Sequence, residues 1–336
     1  MKAAFAKVPL QIELRDIPKP EPGPDEILVK IDACGICGTD LHIARKQAVD
    51  QWWPLGHEIS GTVAELGSNA AGPPVGTRVI VQNSTLCGKC RACRNGEIDR
   101  CESIIFMPGA GIAEYVCAYR RAVLPYSDIS PEAAACVEPL GVSLDVTNLA
   151  DITIGSNVAV FGPGPIGLMA VKLAKLRGAR KVLLVGNSHS KARLALGAEL
   201  GADEIVEIDR MELAPVVEKH FPGGIDRAIV ASPPKTLLEA IEIMNFGGII
   251  AFMGIDYGGE EVVTFDVNKI HFKRLQIRAS HAIPNTLFPV AVDLFARKVI
   301  DPDKLISHIF DISDVREAFE VVANDKASVI KAVVRC

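Results

Sequence analysis

The hydrophobic positions of this chain follow two rhythms. From residue 1 to about residue 135 they form short runs, at 27–31, 61–66, 78–82 and 113–117, separated by turn-forming stretches such as Pro18-Lys19-Pro20-Glu21-Pro22-Gly23-Pro24. Runs of that length between Pro and Gly clusters predict strands, and hence a β-rich domain whose loops can carry ligands. After about Pro139 strand-like and helix-like runs alternate. Strands are expected at 157–161, 181–185, 204–208, 227–231, 248–253 and 275–279, with helices at 165–177, 190–200, 213–220 and 235–245. Alternation at that spacing predicts a parallel, doubly wound sheet. The tail offers two helical stretches, 288–297 and 315–322, and a closing strand, 328–335. The expected fold is therefore α/β. A β-rich domain is built from 1–139 and 284–336, and the doubly wound domain, 140–283, is inserted into it.

The second rhythm carries a recognisable turn. The strand candidate ending at Phe161 runs into Gly162-Pro163-Gly164-Pro165-Ile166-Gly167 and then a helical run. Glycines in the pattern G-x-G-x-x-G allow a tight turn, close approach to a pyrophosphate and close helix–strand packing, while the helix N-terminus offers unpaired N–H groups to phosphate. An acidic residue about 20 positions further on normally holds the ribose 2′-hydroxyl of NAD. No Asp or Glu occurs between Asp151 and Glu199, and by register Ser188 takes the acid's place. A hydroxyl backed by Lys191 or Arg193 can donate to a 2′-phosphate, which a carboxylate would repel. The expectation is NADP(H) in preference to NAD(H). The alternative is that the two cations are a solvated helix start and the backbone holds the ribose.

The first rhythm carries cysteines and histidines. Cys87, Cys90, Cys93 and Cys101 have the spacing C-x2-C-x2-C-x7-C. Four thiolates so close suit a tetrahedral zinc with every position filled, which is a structural site. A different set lies upstream: Cys34-Gly35-Ile36-Cys37-Gly38-Thr39-Asp40-Leu41-His42, followed by Gly56-His57-Glu58. Cys37 and His57 offer sulfur and nitrogen to zinc, and Glu58 either ligates or orients the ligands. Glu138, in Cys136-Val137-Glu138-Pro139, adds a carboxylate near the expected domain boundary. Three protein ligands with one open position is the catalytic arrangement. Cys34 with Cys37 also reads as C-x-x-C, a redox pair or half a zinc ribbon, but His57 and Glu58 give Cys37 a better use. Cys34, Cys117, Cys136 and Cys336 read as small apolar residues.

The bulk numbers narrow the function. A chain of 336 residues fits about two domains. At 49% hydrophobic and 23% charged it has the composition of a folded globular protein. The net charge of −5 offers no basic field for nucleic acid. Apolar runs fall well short of the roughly 20 residues that span a bilayer. The first fifteen residues, broken by Lys7, Pro9, Gln11 and Glu13, do not read as a signal peptide. Clustered cysteines in a long chain point to reduced thiols on metal rather than disulfides, and so to the cytoplasm.

Taken together, the residues 35–42, 56–58, the four-cysteine lobe, Glu138-Pro139-Leu140 and the 162–167 turn resemble, in order, the zinc-dependent medium-chain dehydrogenase/reductase superfamily, the group of alcohol, sorbitol and threonine dehydrogenases. The resemblance runs over nearly the whole chain. It implies a GroES-like catalytic domain and a Rossmann domain, with the second inserted into the first. It implies two zinc ions per chain: a catalytic one on Cys37, His57, Glu58 and Glu138, the last bound directly or through water, and a structural one on Cys87, Cys90, Cys93 and Cys101. Thr39 would hydrogen-bond the substrate hydroxyl, His42 would pass its proton to solvent, and Asp40 would support the ligand loop. Gly162, Gly164, Pro165, Ile166, Gly167, Ser188, Lys191, Arg193, Ala231 and Gly254 would face the cofactor.

The implied reaction is hydride transfer between a secondary alcohol or polyol, or its ketone or aldehyde, and a nicotinamide dinucleotide, in a homodimer or homotetramer paired through the nucleotide domain. The chain departs from the family in one place. Only residues 102–108 separate Cys101 from Gly109-Ala110-Gly111-Ile112-Ala113-Glu114-Tyr115, which would leave the pocket more open. Trp52 and Trp53 read either as pocket lining or as apolar packing. Two rivals are a zinc-free quinone or enone reductase of the same superfamily and a nucleotide-binding protein without enzymatic activity.

Overall fold

The computed structural model describes residues 1–46, 51–82, 84–97, 100–107, 109–256, 259–281 and 285–336. It divides into two compact units. The first contains Met1–Glu138, Ile283–Asn324 and Lys331–Cys336, and the second Pro139–Ala282 and Asp325–Ile330. The expected boundary at 283/284 lies outside the described residues. Residues 325–330 group with the second unit because its backbone and side chains hold them: Ala192 N–H donates to Ala327 O (3.0 Å) and Arg193 Nε to Val329 O (2.8 Å).

In chain order, the first unit begins with β1 (Lys2–Lys7), β2 (Gln11–Asp16), β3 (Glu26–Gly35), α1 (Gly38–Lys46), β4 (Trp53–Pro54), β5 (Glu58–Leu66) and β6 (Arg78–Gln82). It continues through β7 (Ser84–Thr85), α2 (Arg91–Arg94), β8 (Ile105–Phe106), β9 (Tyr115–Tyr119), β10 (Val123–Pro125) and α3 (Pro131–Ala135). The helix α4 (Val137–Leu149) then leads into the second unit, which runs through β11 (Asn157–Phe161), α5 (Pro165–Leu176), β12 (Lys181–Gly186), α6 (Lys191–Leu200), β13 (Glu204–Glu207), α7 (Leu213–His220), β14 (Ile225–Val230), α8 (Leu237–Ile243), β15 (Met244–Phe252), α9 (Val267–Lys273) and β16 (Gln276–Ala279). Back in the first unit come α10 (Phe288–Ala296), α11 (Pro302–Leu305), β17 (Ile306–Asp311), α12 (Val315–Asn324) and β18 (Lys331–Arg335).

The main sheet of the first unit has the order β10-β6-β5-β3-β18-β17, with β9 also on β3, and a smaller sheet has the order β2-β1-β4. Its core joins Ile27, Val29, Ile31, Ile59, Val63, Val79 and Val81 from alternate strand positions to Phe319 and Val334. The closing strand β18 is antiparallel to β3, pairing Val334 with Cys34. A segment from the end of the chain is thereby locked against the strand that leads into Cys37.

The second unit is the alternation expected from the sequence. Its six strands are all parallel, in the order β13-β12-β11-β14-β15-β16. β11 is buried at every position, as a central strand covered on both faces must be. The order reverses direction at β11, and at such a switch point ligands bind beyond the strands' carboxyl ends. Asp226 fixes the start of this strand: its carboxylate accepts the Asn157 N–H (2.8 Å) and an Asn245 side-chain N–H (3.2 Å). Among the described residues no helix is long and apolar enough to cross a membrane.

Helix α12 shows how pattern becomes packing. Val315, Ala318, Phe319 and Ala323 repeat at helical spacing and are buried, whereas Arg316, Glu317 and Glu320 face water. Phe319→Ala should destabilise the first unit by about 3–5 kcal/mol, read as an earlier denaturation midpoint in urea.

Candidate metal centres and dinucleotide turn

The last residues of β3 pair with β5 on one side and β18 on the other, and the chain then leaves the sheet through Ile36 and Cys37 into α1. Asp40, in the first turn of α1, is 2% exposed and turns its carboxylate back on this loop. It accepts the backbone N–H of Cys37 and that of Gly56, each at 3.0 Å, and stands 3.6 Å from His57 Nδ1. One buried carboxylate thus fastens the segment after β3 to the segment before β5. Cys37 and His57 are held together although they are far apart in the chain. Burial pushes the Asp40 carboxyl up, but His57 and the two N–H groups outweigh it and leave it below its usual value. Burial likewise disfavours a charged His57, and the Asp40 and Cys37 charges overcome that and hold it well above its usual value. With Nδ1 turned to Asp40, Nε2 is left for a metal.

Cys37, His57 and Glu58 each offer a donor atom, and these atoms lie within 4.8 Å of one another. Sulfur, imidazole nitrogen and carboxylate oxygen form a donor set that suits zinc. Thr39 Oγ1 lies 3.7 Å from Cys37 Sγ, and His42 follows one turn later on α1. Cys34 takes no part: its thiol is buried, turns to the Gly35 carbonyl (3.6 Å), and is pushed well up by burial. Glu138 is buried near the start of α4, outside the three-donor cluster but within reach of its charges. Burial pushes its carboxyl up to about 7, against the pull of His57 and with the push of Glu58.

Two further residues, Lys331 and Gly35, shape this centre. Lys331, 3% exposed at the start of β18, forms an ion pair with Glu58 and donates to the Ile36 carbonyl at 2.8 Å. Burial disfavours its charge, but the Glu58, Cys136 and Cys37 groups outweigh this and raise it above its usual value. Gly35 makes room for the pair, since a Cβ there would overlap Glu58 Oε2 and press on Lys331 Cε. Locally Lys331 only precedes the short apolar run Ala332-Val333-Val334, which Arg335 closes, much as a surface lysine would.

The four lobe thiols also lie within 4.8 Å of one another, with Cys87 Sγ and Cys93 Sγ 4.0 Å apart. A zinc–sulfur tetrahedron with bonds of about 2.3 Å needs sulfurs roughly 3.8 Å apart, so the set fits. Backbone N–H groups point at the sulfurs, as negative sulfur requires: Lys89 and Cys90 donate to Cys87 Sγ (3.5 and 3.3 Å), Cys93 to Cys90 Sγ (3.5 Å) and Cys87 to Cys101 Sγ (3.4 Å). The Lys89 and Cys90 bonds draw the Cys87 thiol down to about 6, while burial pushes Cys93 up to about 12. All nine cysteines are free of disulfides.

In the second unit, β11 enters the turn at Gly162, whose φ is +100°, and whose N–H donates to Val185 O (2.9 Å). A Cβ on Gly167 would overlap Gly162 O, whereas one on Gly164 would stand in open space at the N-cap of α5, which has no side-chain cap. The turn is therefore closed against the sheet and open outward, as a pyrophosphate needs. Ala231 and Gly254 stand just past β14 and β15, and a Cβ on Gly254 would overlap Ser232 O. Ser188 differs from expectation. Its hydroxyl donates to Asp209 Oδ2 at 2.6 Å and its N–H to Asp209 Oδ1 at 2.7 Å. Arg193 points its Nε to the Val329 carbonyl, and Lys191 is exposed. Trp52 lies under the Arg15 guanidinium, 3.9 Å from its ring centre, and Trp53 pairs through β4 with Ala6. Pro108, at the end of the short stretch after Cys101, lies outside the described residues.

A unit with thiol and imidazole metal donors and a unit with a Gly-rich turn at a parallel sheet's switch point are the two parts of a metal-dependent dehydrogenase. Residues 23–128 match the family model of the alcohol dehydrogenase GroES-like domain, and residues 165–297 that of the zinc-binding dehydrogenases. The chain is 34% identical to the L-threonine 3-dehydrogenase of Rhizobium etli (strain CIAT 652), over 96% of this chain and 95% of that one. Among solved structures it is similar to a provisionally assigned zinc-binding dehydrogenase from Sinorhizobium meliloti 1021 bound to NADP (30% identity, TM-score 0.87, covering 100% and 99% of the chains). It is also similar to an alcohol dehydrogenase from E. coli CFT073 complexed with NADH (27%, TM-score 0.88, 100% and 99%). The chain belongs to the zinc-binding dehydrogenase family, and it is an oxidoreductase of the zinc- and nicotinamide-dependent kind.

Lys331→Met should strand the Glu58 carboxylate and cost about 3–5 kcal/mol of stability, together with loosened metal at the Cys37 centre. Urea denaturation and the rate of metal loss to a chelator check both.

Proposed function

We propose that the chain interconverts a secondary alcohol or polyol with its carbonyl compound, using two zinc ions of unlike kind. The carrying observation is the Cys37–His57–Glu58 cluster, three donors of three chemistries fastened by Asp40 and Lys331. Cys37, His57 and Glu58 would hold the catalytic zinc, with Glu138 able to join directly or through water. Cys87, Cys90, Cys93 and Cys101 would hold the structural one. On this reading the first unit is the catalytic domain and the second the dinucleotide domain.

When bound, zinc would lower the pKa of a hydroxyl, as it brings that of bound water down to about 7, and the nicotinamide would supply the hydride acceptor. The residues of the chain handle the proton and the positions. Thr39 would accept the hydrogen bond of the substrate hydroxyl, a role supported by its distance of 3.7 Å from Cys37 Sγ. His42 would pass the proton to solvent. Asp40, through His57, would keep the imidazole in one orientation. Gly162, Gly164, Pro165, Ile166 and Gly167 would receive the pyrophosphate, with Ala231 and Gly254 beside the cofactor. The named activity of the Rhizobium relative, on threonine, puts amino alcohols among the substrates to test. The intact donor sets speak against the zinc-free reductase and the non-enzymatic reading. Free cysteines favour a reducing compartment, the cytoplasm. A homo-oligomer is supported by β16, an edge strand carrying exposed Ile277, with Val262, Phe265, Val267 and Phe272 exposed nearby in the chain.

Purified zinc-replete protein should contain two zinc ions per chain and turn over a member of a panel of polyols, amino alcohols and simple alcohols, read by nicotinamide absorbance. Cys37→Ser should abolish turnover and leave dinucleotide binding nearly unchanged. Equal loss of both would sink the separation of roles. Cys90→Ser should lose one zinc and lower thermal stability before it touches the reaction.

A further inference from the structure

The ribose end of the dinucleotide site holds a carboxylate that its own strand does not encode. We propose that Asp209, reaching Ser188 from the neighbouring strand, makes this site select the 2′-hydroxyl of NAD(H) over the 2′-phosphate of NADP(H). This rests on the dinucleotide reading of the second unit, and it reverses the preference expected from Ser188, Lys191 and Arg193.

The placement follows from sheet geometry. β12 and β13 run parallel, with Gly186 opposite Glu207. Both chains continue past their strands, so the residue two beyond Gly186 comes beside the residue two beyond Glu207. These are Ser188 and Asp209. Asp209 takes both the hydroxyl and the N–H of Ser188, at 2.6 and 2.7 Å. These two bonds, the hydroxyl first, hold the Asp209 carboxyl below its usual value. It is an anion at neutral pH, and it is exposed while Ser188 is buried. Ser188 stands where dinucleotide-binding folds of this kind place the acid that binds the ribose 2′-hydroxyl. The acid is thus restored from one strand further out, with its remaining lone pairs open to accept from a ribose hydroxyl.

A 2′-phosphate would arrive against this carboxylate, and the hydroxyl that should have donated to it is already committed. The nearby cations are turned to other partners or to water. Arg193 donates to Val329 O, Arg210 pairs with Glu207 at 3.0 Å, and Lys191 and His189 are exposed. None forms the planar guanidinium clamp that makes a phosphate site selective. Discrimination here comes from a repulsive group as much as from an attractive one.

The test is binding without turnover. NADH and NADPH are titrated into the zinc-loaded protein by fluorescence, with 5′-AMP and adenosine 2′,5′-bisphosphate as competing probes. Wild type should bind NADH about tenfold tighter than NADPH or better, and 5′-AMP should compete better than the bisphosphate. Asp209→Asn, with its fold checked by circular dichroism, should shrink the ratio by about tenfold, chiefly through gain of NADPH. Ser188→Ala is the second variant. It leaves the Asp209 carboxylate in place, so the preference for NADH should persist. NADPH bound as tightly as NADH by wild type, an unchanged ratio in folded Asp209→Asn, or selective loss of NADPH in Ser188→Ala would each overturn the inference while the dinucleotide reading stands. Failure to bind either dinucleotide would sink both.

Discussion

Buried negative charge is what the first unit is organised around. Asp40 and Glu58 are nearly inaccessible, the Cys37 thiol stands beside Glu58, and Glu138, its carboxyl pushed up to about 7 by burial, is buried within reach of their charges. Charges removed from water are tolerable only if paired and hydrogen-bonded. The chain supplies two cations of its own, Lys331 and His57, and backbone N–H groups at Cys37 and Gly56. That leaves an excess of acceptors at one point in the interior. A divalent cation suits such a donor set, and thiolate with imidazole is a combination that zinc accepts.

The same constraint explains the topology that serves it. Lys331 can reach Glu58 only because β18 returns from the end of the chain to pair with β3, and Gly35 can let it through only because it has no Cβ. The pairing of β18 with β3 is therefore what brings the Lys331 charge to Glu58. In the second unit register does the comparable work. Parallel pairing of β12 with β13 fixes which side chains meet at the carboxyl edge, so Ser188 acquires Asp209 with no further device.

What could be read in advance divides along that line. The alternating strands and helices of the second unit were legible because each is announced locally, by its period and by the Gly or Pro that ends it. So were the four lobe cysteines and the His57–Glu58 pair, since close spacing in the chain keeps donor groups close in space; Cys37 joins His57 and Glu58 only because Asp40 ties the two loops together. The strand β1, the helix α4 and the contacts of Lys331, Gly35 and Asp209 were not. Lys331 meets a partner at the other end of the sequence, and nothing local distinguishes it from a surface lysine. Asp209 was hidden for a subtler reason. The absence of an acid after β12 was correctly seen, but the register that brings one from β13 exists only once the sheet has formed.

That difference bears on how cofactor choice is argued in folds of this kind. Reading one strand end in isolation treats the ribose pocket as if a single residue faced it. In a parallel sheet each strand end has a neighbour at fixed register, about 4.8 Å away, on the side where the next strand lies. A small residue at the end of one strand is therefore an opening as well as a loss, because it lets the neighbour's longer side chain reach across. Ser188 is small enough for Asp209 to close on both its hydroxyl and its N–H. The chemistry presented to the ribose belongs to the pair, and the pair is anionic even though the strand that should carry the acid has none.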